Sequence, residues 1–401
     1  MTYWFEKSRA LIEAGNVKRA GLICTNGIRF GANRKVLEKI KQSGDLFDGW
    51  ADRPWFDNGA AVRVSLIAFD GGQESEKHLD GKPVATINAD LTAQSADVTT
   101  AQTLPENEGL VFLGMMKGGP FDIDDLTAQA MISQRGNPNG KPNSDVVRPR
   151  LGAQDTTGRT RGGFVIDFQE MTEEDAALYE MPFEFVKRVV KPVRNESRDA
   201  RMSKFWWLHG RSRPALRAAI AGKKRCIVTP EVAKYRVFVW MPTTTVPDHS
   251  CHVFARDDDY FFGVLHSRIH EVWSLAVGNR MGAGNDPRYN SSKTFGTFPM
   301  PWSPGSEPSE ADSAQVKAIA DAVRRLVELR DNWLNPSDLP ETELKKRTLT
   351  NLYNARPVWL ETAHRKLDEA VASAYSWEWP LTDEEILEKL LVLNQERASE
   401  V

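Results

Sequence analysis

The feature that most constrains the fold of this chain is the order of its first five predicted elements. Helical spacing over residues 3–14 is followed by an apolar strand at 20–24, a helix at 34–42 and two strands at 46–50 and 61–69. The last strand is a nearly continuous apolar run, which is typical of strands buried on both faces. This order predicts half of a doubly wound α/β domain, a partial Rossmann-like sheet whose open apolar edge must be covered by something else.

Three further regions follow the N-terminal region of residues 1–71. Residues 72–109 are polar and predict a connecting segment of short strands and loops. Residues 110–302 alternate apolar strands with Pro and Gly turns, which predicts an α+β domain. Residues 303–401 show only helical spacing and predict a C-terminal helical bundle. The predicted fold class is therefore α/β plus α+β, ending in helices.

Within the last two regions, the apolar patterns single out individual strands and helices. Strands are predicted at 163–168, 225–229, 235–241 and 251–254. Helices are predicted at 259–277, at 310–333 and after Pro357, and a last helix is predicted to begin at the capping box Thr382-x-x-Glu385.

Composition narrows the class of protein. The chain has no run of about 18 apolar residues that could span a membrane, and its start lacks a secretion signal. Cys24, Cys226 and Cys251 form no CxxC pair, so neither a disulfide framework nor a structural zinc site is expected. His249 and His252, which flank Cys251, are interpreted as a strand and its approach. We expect a cytoplasmic protein with no bound metal and no membrane partner.

Charge is strongly segregated along the chain, although the net charge is only −3. Lys187 to Arg225 contains thirteen Lys and Arg residues against the acids Glu196 and Asp199, a balance of +11. The rest of the chain then has 39 basic and 53 acidic residues, a balance of −14. A solvated surface would mix both signs, so this basic block predicts a site for a polyanion.

The basic block carries the side chains expected to contact a phosphate backbone. Its first four members have helical spacing, and its last three surround two tryptophans: Lys191, Arg194, Arg198, Arg201, Lys204, Arg211 and Arg213. Trp206 and Trp207 are interpreted in two ways, as wedges or stacking partners for bases, or as core residues. Binding of single strands is therefore a third functional hypothesis.

A second binding segment lies at residues 278–293, GNRMGAGNDPRYNSSK. It is rich in residue types that read base edges and phosphates: Arg280, Asn285, Asp286, Arg288, Ser291, Ser292 and Lys293. Its glycines would permit close backbone approach. An ordinary polar loop is the alternative interpretation.

Several segments together resemble a known family. GLICTNGIRFGANRKVLEKI and FDGWADRPWFDNGAAVRVSLIAF resemble the late motifs of the amino-methyltransferase domain in single-chain restriction-modification enzymes of the MmeI type. WWLHGRSRPALRAAI, GNDPRYNSSKTFGTFPMPW and NARPVWLETAHRKLDEAVASAY resemble that family's target-recognition domain and helical tail. The resemblance covers nearly the whole chain.

The resemblance implies methyl transfer from S-adenosylmethionine to adenine N6 within a defined duplex sequence, with the base flipped out of the helix. It places Arg280 and Asn285 to Tyr289 in the loop that carries specificity residues. The stretch from Gly282 to Asn285 departs from the charged alternation of some relatives, so the base read by each residue stays open. Thr25 and Asn26 match the polar end of a strand near the target pocket, where a supporting role is implied.

The motifs for the methyl donor and for catalysis are expected to lie outside this chain. Asn137-Pro138-Asn139 lacks the second proline of the catalytic Asn-Pro-Pro-aromatic turn, and the GRTRGG run at 158–163 precedes a strand instead of following one. We expect the chain to bind no cofactor alone and to bind double-stranded DNA. We also expect it to act with an upstream methyltransferase half, in the same or a separate chain, that binds S-adenosylmethionine. The alternative is a freestanding, non-catalytic DNA-specificity subunit.

Overall fold

The computed structural model describes residues 2–57, 60–93, 96–159, 162–281 and 286–400. Two compact units divide these residues. The first draws on Met1–Gln102, Met281–Asn285 and Leu381–Val401, and the second on Thr103–Arg280 and Asp286–Pro380. No helix among the described residues is long and apolar enough to cross a membrane.

The N-terminal part follows the predicted order of helices and strands and adds two short strands. Its elements are α1 (Thr2–Glu13), β1 (Arg19–Thr25), α2 (Gly31–Ser43), β2 (Asp45–Asp57), β3 (Ala60–Asp70), β4 (Lys77–Leu79) and β5 (Lys82–Val84). The five strands form one sheet in the order β1-β3-β2-β4-β5. β3 is antiparallel to both β1 and β2, whereas β2 and β4 are parallel.

Helices α1 and α2 supply the core that the sheet of the first unit needs. Val36, Leu37 and Ile40 recur at helical spacing on α2, and all three are buried. Phe5 of α1 stacks on Phe69 of β3 with ring centroids 6.1 Å apart. Among the described strands, β1 pairs only with β3 and therefore forms an edge of this sheet.

The middle of the chain is α+β, as its pattern predicts. Its elements are β6 (Val111–Leu113), β7 (Asp122–Ile123), α3 (Asp125–Ser133), β8 (Val147–Leu151), α4 (Ala153–Thr157), β9 (Phe164–Ile166), α5 (Glu173–Ala177), α6 (Glu180–Asn195), α7 (Ala200–Lys204), α8 (Pro214–Ile220), β10 (Arg225–Pro230), β11 (Val239–Pro242), β12 (Val246–Pro247), β13 (Cys251–Phe254), α9 (Asp259–His266), α10 (Arg268–Val277), β14 (Asn279–Met281) and β15 (Asp286–Arg288). Two four-stranded sheets run β11-β10-β13-β6 and β12-β8-β9-β7, and β14 pairs with β15. One apolar core receives side chains from both larger sheets and from α6.

The C-terminal part is helical and confirms the predicted fold class. It contains α11 (Ala314–Leu334), α12 (Glu341–Leu344), α13 (Leu349–Ala355), α14 (Val358–Ala374) and α15 (Asp383–Ser399). α9 packs closely against α11 and α14, because Gly263 has no side chain to keep the helices apart. A Cβ at that position would lie 2.5 Å from Ile319 Cγ2. The predicted capping box is present, since Thr382 and Glu385 accept each other's backbone N–H groups.

The structure differs from the predictions for two of the helices. The helix predicted over 259–277 is two helices, since Ser267 ends α9 and its side chain caps α10 by accepting from His270 N. Apolar spacing runs through this junction unbroken, so periodicity does not reveal the break. Helix α15 groups with the first unit instead of with the other C-terminal helices.

Candidate nucleic-acid interface

Three arginines of the basic block converge on one cleft of the second unit. Arg201, Arg211 and Arg213 line a cavity of about 350 Å³, together with Met116, Asp199 and Met202. Arg201 and Arg211 are exposed, and Arg213 is half-buried. The cleft therefore combines exposed arginine residues with a concave surface, which suits a phosphate group. We call it the arginine cleft. Arg201 is partly engaged there, since its Nη1 donates to Gly210 O at 2.6 Å.

Backbone geometry fixes the position of Arg213 in the arginine cleft. This residue adopts the left-handed conformation, with φ 57° and ψ 60°, immediately before Pro214 begins α8. Its Nε donates to Gly114 O at 3.2 Å. Burial, and then the neighbouring charge of Arg211, lowers the pKa of Arg213. A strained residue held among like charges is typical of a functional site.

The structure corrects the prediction for Arg194, which is a buried structural residue. Its side chain is only 1% exposed, although α6 continues past Pro192 as the helical spacing requires. Nη2 donates to Lys117 O at 2.7 Å and to Leu208 O at 3.1 Å, and Nη1 donates to Met202 O at 3.4 Å. The guanidinium joins three backbone segments and is therefore not available to bind a DNA phosphate.

Trp206 and Trp207 belong to the core, which corrects their interpretation as wedges. They are 4% and 6% exposed. Trp207 Nε1 donates to Met171 O at 3.0 Å, and the Trp206 ring lies 5.3 Å from that of Phe183. Lys191 covers the Trp206 ring, with Nζ 4.5 Å from its centroid. Neither indole is open to a base.

The other basic side chains of the block differ in their exposure to solvent. Arg198 and Lys204 are exposed, as backbone contacts require. Lys204 and Arg201 both lie near the ring of Phe205, at 5.4 and 6.0 Å. Lys191 is half-buried through its contact with Trp206. The candidate phosphate contacts therefore centre on Arg198 and the arginine cleft.

Strand β15 presents an ion pair between two half-buried side chains. Arg288 donates through Nε and Nη2 to Glu231 Oε1, at 2.9 and 2.7 Å. The backbones of Val232 and Arg288 form an antiparallel bridge, which keeps the two side chains side by side. Since the carboxylate holds one edge of the guanidinium, the arginine is oriented before any ligand binds.

The buried side chains of Tyr289 and Arg236 hold β15 in place. The burial of Tyr289 corrects its prediction as a base-reading residue. Tyr289 is 1% exposed, and its hydroxyl lies 3.1 Å from His270 Nε2. Burial lowers the pKa of His270 to about 3, so this ring is neutral. Arg236 donates to Pro287 O at 3.1 Å and to Pro230 O at 2.5 Å. Both side chains position the strand and do not face solvent.

The other predicted residues of the second binding segment, 278–293, differ in their exposure and contacts. Arg280 is exposed and Asp286 is half-buried, whereas Asn285 lies outside the described residues. Ser292 and Lys293 are exposed on a π-helical turn, Ser291–Phe295, where Ser292 Oγ donates to Asn290 Oδ1 at 2.7 Å. Ser291 and Ser292 also line a cavity of about 390 Å³.

Thr25 and Asn26 lie in the first unit at the end of β1. Asn26 Nδ2 donates to Asp52 Oδ1 at 2.9 Å, and Arg63 donates to the same carboxylate. The Asn26 amide is thus engaged in a polar cluster that joins β1, β2 and β3. The supporting role of Thr25 and Asn26 near the target pocket stays a prediction.

Sequence reasoning missed Glu231 and Arg236. Both follow β10 in the sequence PEVAKYR, more than 50 residues before Arg288, and neither lies in the basic block or in the glycine-rich segment. Two isolated charges in a segment without a regular helix or strand give no local signal of a distant partner. Only the pairing of this segment with β15 reveals their role.

Comparison with known proteins finds a family match in the middle of the chain. Residues 115–302 match the family model described as MmeI, target recognition domain. The chain is also similar to DNA methyltransferase A of Bacillus subtilis (strain 168), with 31% identity over 177 aligned residues. The alignment covers 42% of this chain and 18% of that protein. The fold is similar to that of the Type IIL restriction-modification enzyme MmeI, solved in complex with DNA, with a TM-score of 0.77 and 20% identity.

The likeness to MmeI covers 99% of this chain and 52% of that chain. The chain therefore spans about half the length of the MmeI structure and less than a fifth of DNA methyltransferase A. These matches confirm the predicted resemblance to a part of an MmeI-like type II restriction-modification methyltransferase.

Proposed function

We propose that this part of an MmeI-like restriction-modification methyltransferase reads the duplex DNA target for methylation of adenine at N6. The observation that carries the proposal is the convergence of Arg201, Arg211 and Arg213 on one cleft inside the matched target recognition domain. Guanidinium groups bind phosphates with two parallel hydrogen bonds, and such contacts set the register of a protein on DNA.

Base reading is assigned to Arg288, with Asp286 and Arg280 beside it. Arginine recognises guanine through O6 and N7, and this contact needs a guanidinium held in a fixed plane. Glu231 supplies that orientation through Nε and Nη2, while Tyr289 and Arg236 hold the strand. The pair thus has the rigidity that discrimination between bases requires.

A methyltransferase half, in the same chain or in a separate one, is proposed as the partner at strand β1. β1 is a sheet edge among the described strands, and Ile23 on it is 50% exposed. Tyr3 and Trp4 of α1 in the same unit are 64% and 61% exposed. Large apolar side chains beside an unpaired strand edge favour association with another folded segment.

S-adenosylmethionine is expected in the complete enzyme, and we assign its binding to that partner. Donor binding on this fold class requires a glycine-rich turn that follows a strand. The run at 158–163 instead leads into β9, and Gly163 N donates to Asp125 Oδ1 at 2.9 Å. Residues 160 and 161 of this run lie outside the described residues, and no step of methyl transfer is assigned to residues of this chain.

Duplex binding is the first test. The full chain should bind double-stranded DNA with an affinity that falls steeply with salt, since phosphate contacts release counterions. Arg211→Ala should weaken binding, whereas Arg325→Ala, which removes an exposed arginine of α11, should not. A salt-independent affinity would contradict the proposal, and a preference for single strands would favour single-strand binding.

Methyl transfer is the second test. The chain should co-purify with a separately expressed donor-binding half, and the complex should methylate adenine N6 in duplex DNA. Mass spectrometry of digested DNA distinguishes N6-methyladenine from methylated cytosine. Sequence-selective binding without methylation by any such complex would instead favour a freestanding specificity subunit.

A further inference from the structure

Arg356 ends helix α13 in the left-handed backbone region, with φ 40° and ψ 61°. Glycine is the usual residue at this position, because a Cβ is disfavoured there. The Arg356 side chain is exposed, and its guanidinium has no hydrogen bond or ion pair among the described residues. Such an unpaired cation on a strained backbone points to a function for the side chain. Arg213 of the arginine cleft is the other left-handed arginine in the described chain.

The end of α13 lies beside the segment that pairs with β15. Lys234 Nζ donates to Asn354 Oδ1 at 2.6 Å, and Tyr235 OH donates to the same atom at 2.9 Å. Lys234 is only two residues beyond Val232, which bridges Arg288. The helical part of the unit therefore reaches the neighbourhood of the base-reading pair.

A buried polar network holds α13 in this place. Tyr353 precedes Asn354, and its hydroxyl lies 3.0 Å from His266 Nε2 and 2.9 Å from His364 Nε2. Burial lowers the pKa of His364 to about 3 and lowers that of His266 as well, so both rings are neutral. The surface that Asn354 and Arg356 present is thus rigidly supported from α9 and α14.

We propose that Lys234, Asn354 and Arg356 form a second contact with the DNA backbone, which we call the α13 ridge. The inference rests on the proposed function, because it needs duplex DNA at β15. Its chemistry suits a phosphate: Arg356 offers a planar fork of donors, Lys234 offers a point charge, and the Asn354 amide adds N–H groups. The ridge would fix the position of the duplex next to Arg288 without reading sequence.

Arg356→Gly separates this role from a structural one. Glycine relieves the left-handed strain, so the variant should be at least as thermally stable as the unmodified chain. Its affinity for duplex DNA should nevertheless fall by roughly threefold or more at low salt, and equally for target and random duplexes. The slope of log affinity against log salt should become shallower by about 1. Lys234→Gln should act in the same direction.

The matched control is Ser376→Gly, because Ser376 is also exposed and left-handed, with φ 60°. This variant should change stability in the same direction as Arg356→Gly and leave DNA affinity unaltered. Full-chain binding can be followed by fluorescence anisotropy of labelled duplexes.

Each other outcome overturns the inference in a distinct way. If the unmodified chain binds DNA with steep salt dependence and Arg356→Gly binds equally well, the ridge is wrong and the proposed function stands. A loss confined to the target duplex would make Arg356 a base-reading residue and refute the backbone assignment. If the unmodified chain does not bind duplex DNA, both the ridge and the proposed function are refuted.

Discussion

Arg288 binds a single carboxylate oxygen of Glu231, since its Nε and Nη2 both donate to Glu231 Oε1, at 2.9 and 2.7 Å. The pair is only partly exposed, with side-chain exposures of 32% and 23%. Its geometry leaves the rest of the guanidinium to face a base edge, and it makes the orientation of Arg288 depend on Glu231.

Arg288→Ala should change which base is preferred at one position of the target. The expected cost is about 1 to 3 kcal/mol for the correct base, with little change in salt dependence. Glu231→Gln should relax the same preference to a smaller degree, because a neutral amide holds the guanidinium less firmly. Selection from randomised duplexes measures both effects. Equal losses on every sequence would instead make Arg288 a backbone contact.

Arg194→Ala should destabilise the fold, whereas Arg198→Ala should weaken only DNA binding. Removing the buried guanidinium leaves three backbone carbonyls without their donor, at a cost of about 3 kcal/mol. Arg198 is exposed, so its loss should change the free energy of unfolding by less than about 0.5 kcal/mol. Urea denaturation and duplex titration of both variants separate the two roles. A stable Arg194→Ala variant with weakened DNA binding would restore the phosphate assignment.

Trp206→Ala should reduce the free energy of unfolding by about 3 to 5 kcal/mol, because a large ring in the core is replaced by a cavity. Trp206→Phe keeps most of the packing and should fold with unchanged DNA affinity. Chemical denaturation and anisotropy report the two quantities. Full stability of Trp206→Phe together with lost affinity would support stacking on a base.

Asp368→Asn should stabilise the protein more at pH 8 than at pH 5. Burial raises the pKa of Asp368 to about 7, well above the value of an unfolded aspartate. The stability that the neutral carboxyl contributes is present at low pH and is lost as the pH rises through about 7. Asparagine stays neutral and can still accept the N–H of Arg268, which lies 2.7 Å from the carboxylate. Thermal melts at both pH values test this, and equal differences would show that Asp368 titrates normally.

Ile23→Lys should abolish co-purification with the donor-binding half without unfolding the chain. A charge at the middle of an exposed sheet edge opposes the association of strands. Val392→Lys is the matched control, because Val392 is 54% exposed on α15 of the same unit. Retained association of the Ile23 variant would place the partner on another surface.

Local chemistry accounts for the parts of the fold that could be predicted. Val36, Leu37 and Ile40 on α2, the strand β10 and the capping box at Thr382 all follow from spacing or hydrogen bonding within a few residues. The break at Ser267 escaped prediction because the apolar positions on both sides of it keep the same spacing. Its cause is a side-chain cap that competes with continued helix.

The candidate site was predictable in composition and not in orientation. Arg194 and Arg198 are four residues apart in the same basic block, yet one binds backbone carbonyls in the core and the other faces solvent. Helical spacing states that two residues share a face, but it does not state what that face packs against. Trp206 had two interpretations and Tyr289 was assigned to base reading, yet both are buried, because aromatic residues serve both cores and binding surfaces.

The sequence by itself determined the order of helices and strands, the segregation of basic charge and the resemblance of the chain to one family. These depend on residue types and on spacings that act over a few residues or are summed along the chain. The tertiary structure alone decided which charges are exposed, that Glu231 orients Arg288, and that Asn354 of α13 contacts Lys234, two residues beyond the Val232 bridge to Arg288. Those relationships join residues distant in sequence, so they arise only when strands pair and helices pack.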